Sequence, residues 1–206
     1  EREEGSKIMK IFQDDQRSAI VKRLVLLLLA ILTVFAAINA VWYFGYRQKY
    51  TRLSSHLDAK YIDGVEEKDM LRYSKEVDGY SITLKTPAYL GMGGFVAISR
   101  TGGYETQLDE EGNIVAGSDM LITLYIWPNF FSDYKLGLDF FDEFHSIWNQ
   151  VEFTSDMEMM NTDTMDDEYI KNINNLMAEH QAEIEKMIQI ARETLDIAIK
   201  GLKGNL

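Results

Sequence analysis

Residues 156–168 hold the side chains best suited to binding a metal ion. Thioether sulfurs bind soft ions such as cuprous copper, and carboxylates bind calcium. Methionine also fills irregular gaps in a core, and acids are typical of the first turn of a helix. The segment has no His or Cys and lacks the glycine-centred spacing of a calcium-binding hand, so we name no metal ligand and leave metal binding open. The residues concerned are Met157, Met159, Met160 and Met165, with the acids Asp163, Asp166, Asp167 and Glu168.

The other motifs that suggest chemistry are weaker. His56, His145 and His180 are widely separated and form no metal-binding pair. The run GMGG at 91–94 lacks the spacing of a phosphate loop and instead predicts a bend between strands. Cysteine is absent, which excludes thiolate chemistry and disulfides. We therefore expect no enzyme and no cofactor, and no motif identifies a family.

An aromatic segment offers a candidate surface for protein contacts. Most of the aromatic residues between 127 and 148 are typical of a core, but the stretch WPNFFSDY contains turn-forming residues that favour exposure. Tyr and Trp are enriched at protein interfaces. The candidate partner-binding patch comprises Trp127, Phe130, Phe131 and Tyr134.

The elements that must position these residues begin with an uncharged run from Leu24 to Tyr46, 23 residues long. As a helix it would extend about 35 Å, enough to cross about 30 Å of hydrocarbon. A cleaved signal would have a shorter apolar part and small residues before the cut, which this run does not offer. The sequence therefore predicts one retained transmembrane helix.

Charge separates the two ends of the chain. Residues 1–50 hold eight Lys or Arg against five acids, a net charge of +3, whereas residues 51–206 hold 13 against 28, a net charge of −15. We expect the protein to lie in the cell membrane. The Lys22-Arg23 pair directly before the run favours a cytoplasmic N-terminus, which places the domain after the run on the extracytoplasmic side. A strongly acidic domain repels phosphate, so we expect no nucleic-acid partner.

A heptad-like stripe continues from the apolar run into the polar segment that follows. Its apolar residues are spaced four, three and four apart, which predicts a helix with one face turned toward a second helix. An Asn in hydrocarbon seeks a hydrogen-bonding partner, and Ala36 and Ala40 permit close approach. The predicted partner is another membrane protein or a second copy of the chain. The predicted interface comprises Leu32, Ala36, Asn39, Tyr43, Tyr46, Tyr50, Leu53 and Leu57.

The remainder predicts an α+β domain. Alternating apolar residues indicate strands from about Asp78. The strands are expected to include a hairpin with its turn at 110–113, a central strand ending at Pro128 and a further strand at 146–154. Residues 138–150 also suit a helix. A long C-terminal helix, capped by Thr162 or Thr164 and ending near Gly201, is expected to cover the sheet. Its apolar face is predicted to comprise Ile173, Met177, His180, Ile184, Met187, Ala191, Leu195 and Ala198.

The predicted organisation is a cytoplasmic juxtamembrane segment (1–23), a transmembrane helix (24–46), a helical stalk and linker (47–77) and an extracytoplasmic antiparallel sheet domain (78–206). The leading hypothesis is an accessory or assembly subunit of a cell-envelope complex. The alternative is the sensor domain of a signal transducer or anti-sigma-type regulator. Because the chain begins with Glu1 rather than Met, we expect the rest of the cytoplasmic part to lie upstream of Glu1. An envelope hydrolase or solute-binding domain is a third possibility.

Overall fold

The computed structural model describes residues 2–57, 60–61, 71–101, 106–108, 114–117, 121–130, 134–141 and 147–201. The chain divides into two compact units, Glu1–Tyr43 and Phe44–Leu206. The first unit contains one long helix. The second contains a sheet and the remaining helices.

The first unit is the helix α1, Arg2–Trp42. Every side chain from Ala19 to Ile38 is exposed, around the whole circumference of the helix. In the described part of the chain this is the one helix long and apolar enough to cross a membrane, and none of its apolar stretch is buried inside the protein. A core helix of a soluble domain would bury at least one face.

A π-helical turn, Tyr43–Arg47, contains the boundary between the two units, and the second unit continues in α2, Gln48–His56. A seven-stranded antiparallel sheet follows in the order β1-β2-β3-β4-β7-β8-β9, and β5 pairs with β6 in a separate hairpin. The strands are β1 Lys60–Tyr61, β2 Arg72–Val77, β3 Tyr80–Lys85, β4 Phe95–Arg100, β5 Thr106–Leu108, β6 Ile114–Gly117, β7 Leu121–Pro128, β8 Tyr134–Phe141 and β9 Ile147–Thr154.

Strand register aligns the apolar residues on one face of the sheet. Directly opposed pairs link five strands in an unbroken row, and each member of the row is at most 1% exposed. Because side chains alternate between faces along a strand, this register directs one apolar set into the core. The row is Ile82, Ile98, Leu124, Leu138 and Val151.

Two C-terminal helices cover this face, α3 (Asp167–Glu179) and α4 (Gln181–Leu195). Their buried residues join the strand residues in one core, including Ile173 and Ile184, each fully buried. The predicted α+β class, with an antiparallel sheet covered by C-terminal helices, is confirmed.

The predicted ends of the C-terminal helix were wrong. Asp166, not a threonine, caps the start, because its carboxylate accepts a hydrogen bond from the backbone N–H of Glu168 at 2.9 Å. The helix is interrupted at His180 and ends at Asp196, which adopts a left-handed conformation. Ala198 is therefore exposed in an extended segment rather than on the apolar face.

Strand β7 lies in the interior of the sheet and β9 is a strand, as predicted. Strands β5 and β6 pair as a hairpin, also as predicted, but the predicted turn at 110–113 lies outside the described residues. A helix over residues 138–150 was wrong for the described part, where β8 and β9 pair in register. The segment 47–77 is not only stalk and linker, because β2 pairs with β3 within the sheet.

Candidate functional site: the helix junction and the aromatic face

The stripe on α2 is buried in the domain that follows it. Tyr46, Tyr50, Leu53 and Leu57 are 3%, 0%, 1% and 4% exposed, and both leucines belong to the sheet core. The heptad-like spacing therefore reflects an amphipathic helix packed on its own chain. This corrects the prediction that these four residues face a second helix. We call the segment Tyr46–Leu57 and its contacts the helix junction.

Two buried tyrosines connect the helix junction to the loop between β3 and β4. The Tyr46 hydroxyl donates to the carbonyl of Met92, and the Tyr50 hydroxyl donates to the carbonyl of Gly94 at 2.8 Å. Their rings meet edge to face with centroids 5.2 Å apart. Burial is the largest cause that raises the pKa of Tyr50, so this phenol stays neutral. Both hydroxyls thus gain partners inside the protein.

Two glycines permit this close packing. A Cβ at Gly94 would lie 2.6 Å from the Tyr50 ring, and a Cβ at Gly45 would lie 2.7 Å from the Phe130 ring. By contrast, a Cβ at Gly93 would meet no atom within 4 Å. The GMGG run is a bend between strands, as predicted, and its last glycine provides room for an aromatic ring.

Basic residues of the helix junction bind backbone carbonyls of two loops. Arg47 donates to the carbonyl of Pro87, and Lys49 donates to the carbonyl of Asn129. Arg52 forms an ion pair with Asp196 at 3.1 Å, but both side chains are exposed, so this pair adds little stability. The start of α2 is therefore held at both the β3–β4 and the β7–β8 ends of the sheet.

The other four residues of the predicted interface belong to the first unit. Leu32 and Tyr43 are 53% and 43% exposed, and Ala36 is exposed. The Asn39 amide donates to the carbonyl of Phe35 in its own helix at 2.8 Å. A helix partner for these four residues stays a prediction.

The predicted aromatic patch does not form one surface among its described members. Phe130 stacks on Tyr46 with ring centroids 6.3 Å apart, so it belongs to the helix junction. Tyr134 packs against the core, whereas Trp127 lies on the opposite face of the sheet. Phe131 lies outside the described residues.

Trp127 belongs to a different cluster, which we call the aromatic face: Phe95, Tyr125, Trp127, Lys135 and Gly137. The Tyr125 ring stacks on the Trp127 ring with centroids 5.5 Å apart, and it meets the Phe95 ring edge to face with centroids 5.7 Å apart. The Lys135 ammonium lies 5.0 Å from the centre of the Trp127 ring. These side chains project from the sheet face opposite to α3 and α4, because they alternate with the core residues along each strand.

The Trp127 ring covers Gly137 on the neighbouring strand. A Cβ at Gly137 would lie 2.6 Å from that ring, so only glycine fits beneath it. Sequence reasoning found Trp127 but missed Phe95 and Tyr125. The signal for Tyr125 was its position on β7, two residues before Trp127 and on the face opposite to Leu124 and Ile126.

A buried acid lies on the same side of the sheet. Asp139 is 3% exposed and stands opposite Thr123, which is 6% exposed. Burial raises the pKa of Asp139, and a hydrogen bond from the Gln150 amide at 2.8 Å lowers it in part. Asp139 is the one buried carboxylate in the described part of the chain.

The methionine- and acid-rich segment has structural roles where it is described. Asp166 caps α3, Asp156 pairs with Lys200 at 2.9 Å, and Met157 joins the core. Among the described residues, no three His, Asp or Glu side chains form a group that could hold a metal ion.

Comparison of the chain with protein-family models, curated proteins and solved structures found no match. The helix junction and the aromatic face are therefore the features of the molecule that suggest a function.

The Gly94→Ala substitution tests the packing of the junction. We expect it to lower the free energy of unfolding by about 1–3 kcal/mol, because the added methyl group overlaps the Tyr50 ring. The matched control is Gly93→Ala, for which we expect no loss. Urea unfolding of the detergent-solubilised chain measures both; equal stability of the two variants would contradict the packing described here.

The Asp139→Asn substitution tests the buried acid. A raised pKa in the folded state means that stability is greatest below the usual Asp pKa of 3.8 and falls as the pH rises through the folded value. The variant should therefore melt at a higher temperature than the parent at neutral pH, with the gain disappearing in acid. Asp163→Asn, at an exposed position, serves as the control. A lower melting temperature for Asp139→Asn at neutral pH would show that the ionised carboxylate is stabilising.

Proposed function

We propose that this chain is a single-pass protein of the cell membrane, and that its α+β domain is a protein-interaction subunit of a cell-envelope complex. The observation that carries the proposal is the helix junction. The segment that follows the apolar run in the chain is buried in the domain, with Leu53 and Leu57 in its core.

The strength of this attachment follows from burial. Each large apolar side chain removed from water contributes about 1.5–3 kcal/mol, and the junction buries Tyr50, Leu53 and Leu57 almost completely. Detaching the helix would expose all three and leave the Tyr50 hydroxyl without its carbonyl partner. We therefore expect α2 to unfold together with the sheet rather than detach from it.

Exposure of α1 supports the membrane anchor. Leu24, Leu28 and Phe35 are 59%, 56% and 55% exposed, and nothing in the described protein covers them. Hydrocarbon is the environment in which such a helix is stable, because its backbone bonds are internal and its side chains are apolar. The Lys22-Arg23 pair supports a cytoplasmic N-terminus and an extracytoplasmic domain.

The aromatic face is the proposed partner surface. Tyr and Trp rings offer large contact areas at a small cost in side-chain entropy, and they dominate the binding energy of many interfaces. Lys135 bonds to Glu152 beside the Trp127 ring, which gives the face a polar margin. Its rings are half-buried, so they are held in place before a partner arrives.

A second candidate function is transmembrane signalling by a sensor domain. It is favoured by the π-helical turn Tyr43–Arg47, which includes the last residues of the apolar run and directly precedes α2. Such turns are frequent at functional sites, and this one is followed at once by the buried junction. Ligand-dependent movement of α2 with no stable envelope partner would favour this alternative.

Native gels of membranes solubilised in mild detergent test the interaction subunit. We expect the parent chain to migrate in a particle larger than a monomer, and Trp127→Ala to release it at least in part. Glu76→Ala, at an exposed position on β2, should leave the particle intact. Unfolding curves of the Trp127 variant identify any loss that is due to misfolding. A monomeric parent chain would contradict the proposal.

A further inference from the structure

Large apolar side chains are exposed in only one region of the second unit, as far as the structure describes it. They are Phe44, Tyr89, Leu90 and Met92, which are 66%, 51%, 40% and 57% exposed. All other exposed large apolar residues of the described chain belong to the stretch Ile20–Tyr43. A cluster of this kind beside a folded core indicates a contact surface.

One hydrogen bond connects the loop that carries Tyr89, Leu90 and Met92 to the start of the second unit. The carbonyl of Met92 accepts from the Tyr46 hydroxyl, and Phe44 precedes Tyr46 by two residues. Tyr46 is also the last residue of the uncharged run. The exposed loop residues are therefore fixed to the position at which the chain would leave the hydrocarbon.

The base of the loop is rigid, while its tip is exposed. Pro87 and Gly94 are buried, and the buried Thr86 hydroxyl accepts from the backbone N–H of Leu71 at 2.8 Å. At the tip, Leu90 has a φ of 56°, a conformation that a leucine rarely adopts. Neither backbone preference nor packing within the domain accounts for a leucine there.

The chemistry of the loop differs from that of the rest of the domain. No charged residue occurs between Lys85 and Arg100, although residues 51–206 carry a net charge of −15. A tyrosine with neighbouring leucine and methionine suits the boundary between lipid headgroups and hydrocarbon, where amphipathic rings are enriched. An acidic surface would be repelled there, and this loop has none.

We propose that Tyr89, Leu90 and Met92 insert into the surface of the bilayer. The leaflet concerned is the one from which the C-terminal end of the transmembrane helix emerges. This inference rests on the proposed membrane anchor. The apolar side chains at the tip of the loop then contact lipid. The second unit would then contact the membrane through this loop, in addition to its chain connection to the span.

A single nitroxide label tests this insertion. The chain contains no cysteine, so Met92→Cys provides one labelling site in the full-length protein. After reconstitution into phosphatidylcholine vesicles, collision rates with oxygen and with a water-soluble nickel complex are measured by electron paramagnetic resonance. We expect the oxygen-to-nickel ratio at Met92 to be several-fold higher than at Thr101→Cys, an exposed site at the other end of β4. Tyr89→Cys should behave as Met92→Cys does.

The remaining outcomes would overturn the inference. A label at Met92 that nickel reaches as easily as at Thr101 would place the loop in water. A label shielded from both reagents would place it against protein, such as a second copy. Leu28→Cys distinguishes the two proposals: a Leu28 label in hydrocarbon with an aqueous Met92 label contradicts only the loop insertion, whereas an aqueous Leu28 label contradicts the membrane anchor as well.

Discussion

Burial of one stripe of α2 in the sheet domain is the interaction on which the rest of the structure depends. Tyr50 and Leu53 are 0% and 1% exposed, and the Tyr50 hydroxyl is bonded to the β3–β4 loop. Because this helix continues directly from the apolar run, the stripe is also what joins the predicted anchor to the domain. Gly94 and Gly45 are required by the same packing, since aromatic rings occupy the space of their missing side chains.

The two faces of the sheet divide the remaining roles. One face packs on α3 and α4 and supplies the core that stabilises the domain. The other carries the stacked rings of Tyr125 and Trp127, with Gly137 beneath them and Asp139 buried in the same strand. On this second face Thr123 and Asp139 are buried, whereas the rings of Phe95, Tyr125 and Trp127 are half-buried. The proposed partner surface is therefore the cluster of rings on this second face, on the side of the sheet opposite to the core.

Local periodicity predicted the fold class, because the alternation in β3 and the apolar face of α4 reflect the burial of those elements. It predicted the amphipathic helix at 46–57 but not what covers its stripe, since spacing is the same for a helix partner and for a sheet. Strand β8 was not predicted, because Gly137 and Asp139 interrupt its apolar pattern. Neighbouring strands account for both residues: the Trp127 ring fills the space over Gly137, and the Gln150 amide donates a hydrogen bond to Asp139. The break at His180 has no strong local signal.

Hydrogen exchange in lipid bilayers tests most directly whether α2 belongs to the domain core. Amides that open only with the whole domain share its free energy of unfolding and its dependence on denaturant. We predict that the amides of Gln48–His56 exchange with the same opening energy as those of the central strand Leu121–Pro128, at every urea concentration. Rapid exchange of the helix while the strand stays protected, or a protected helix after the strand has unfolded, would contradict the account.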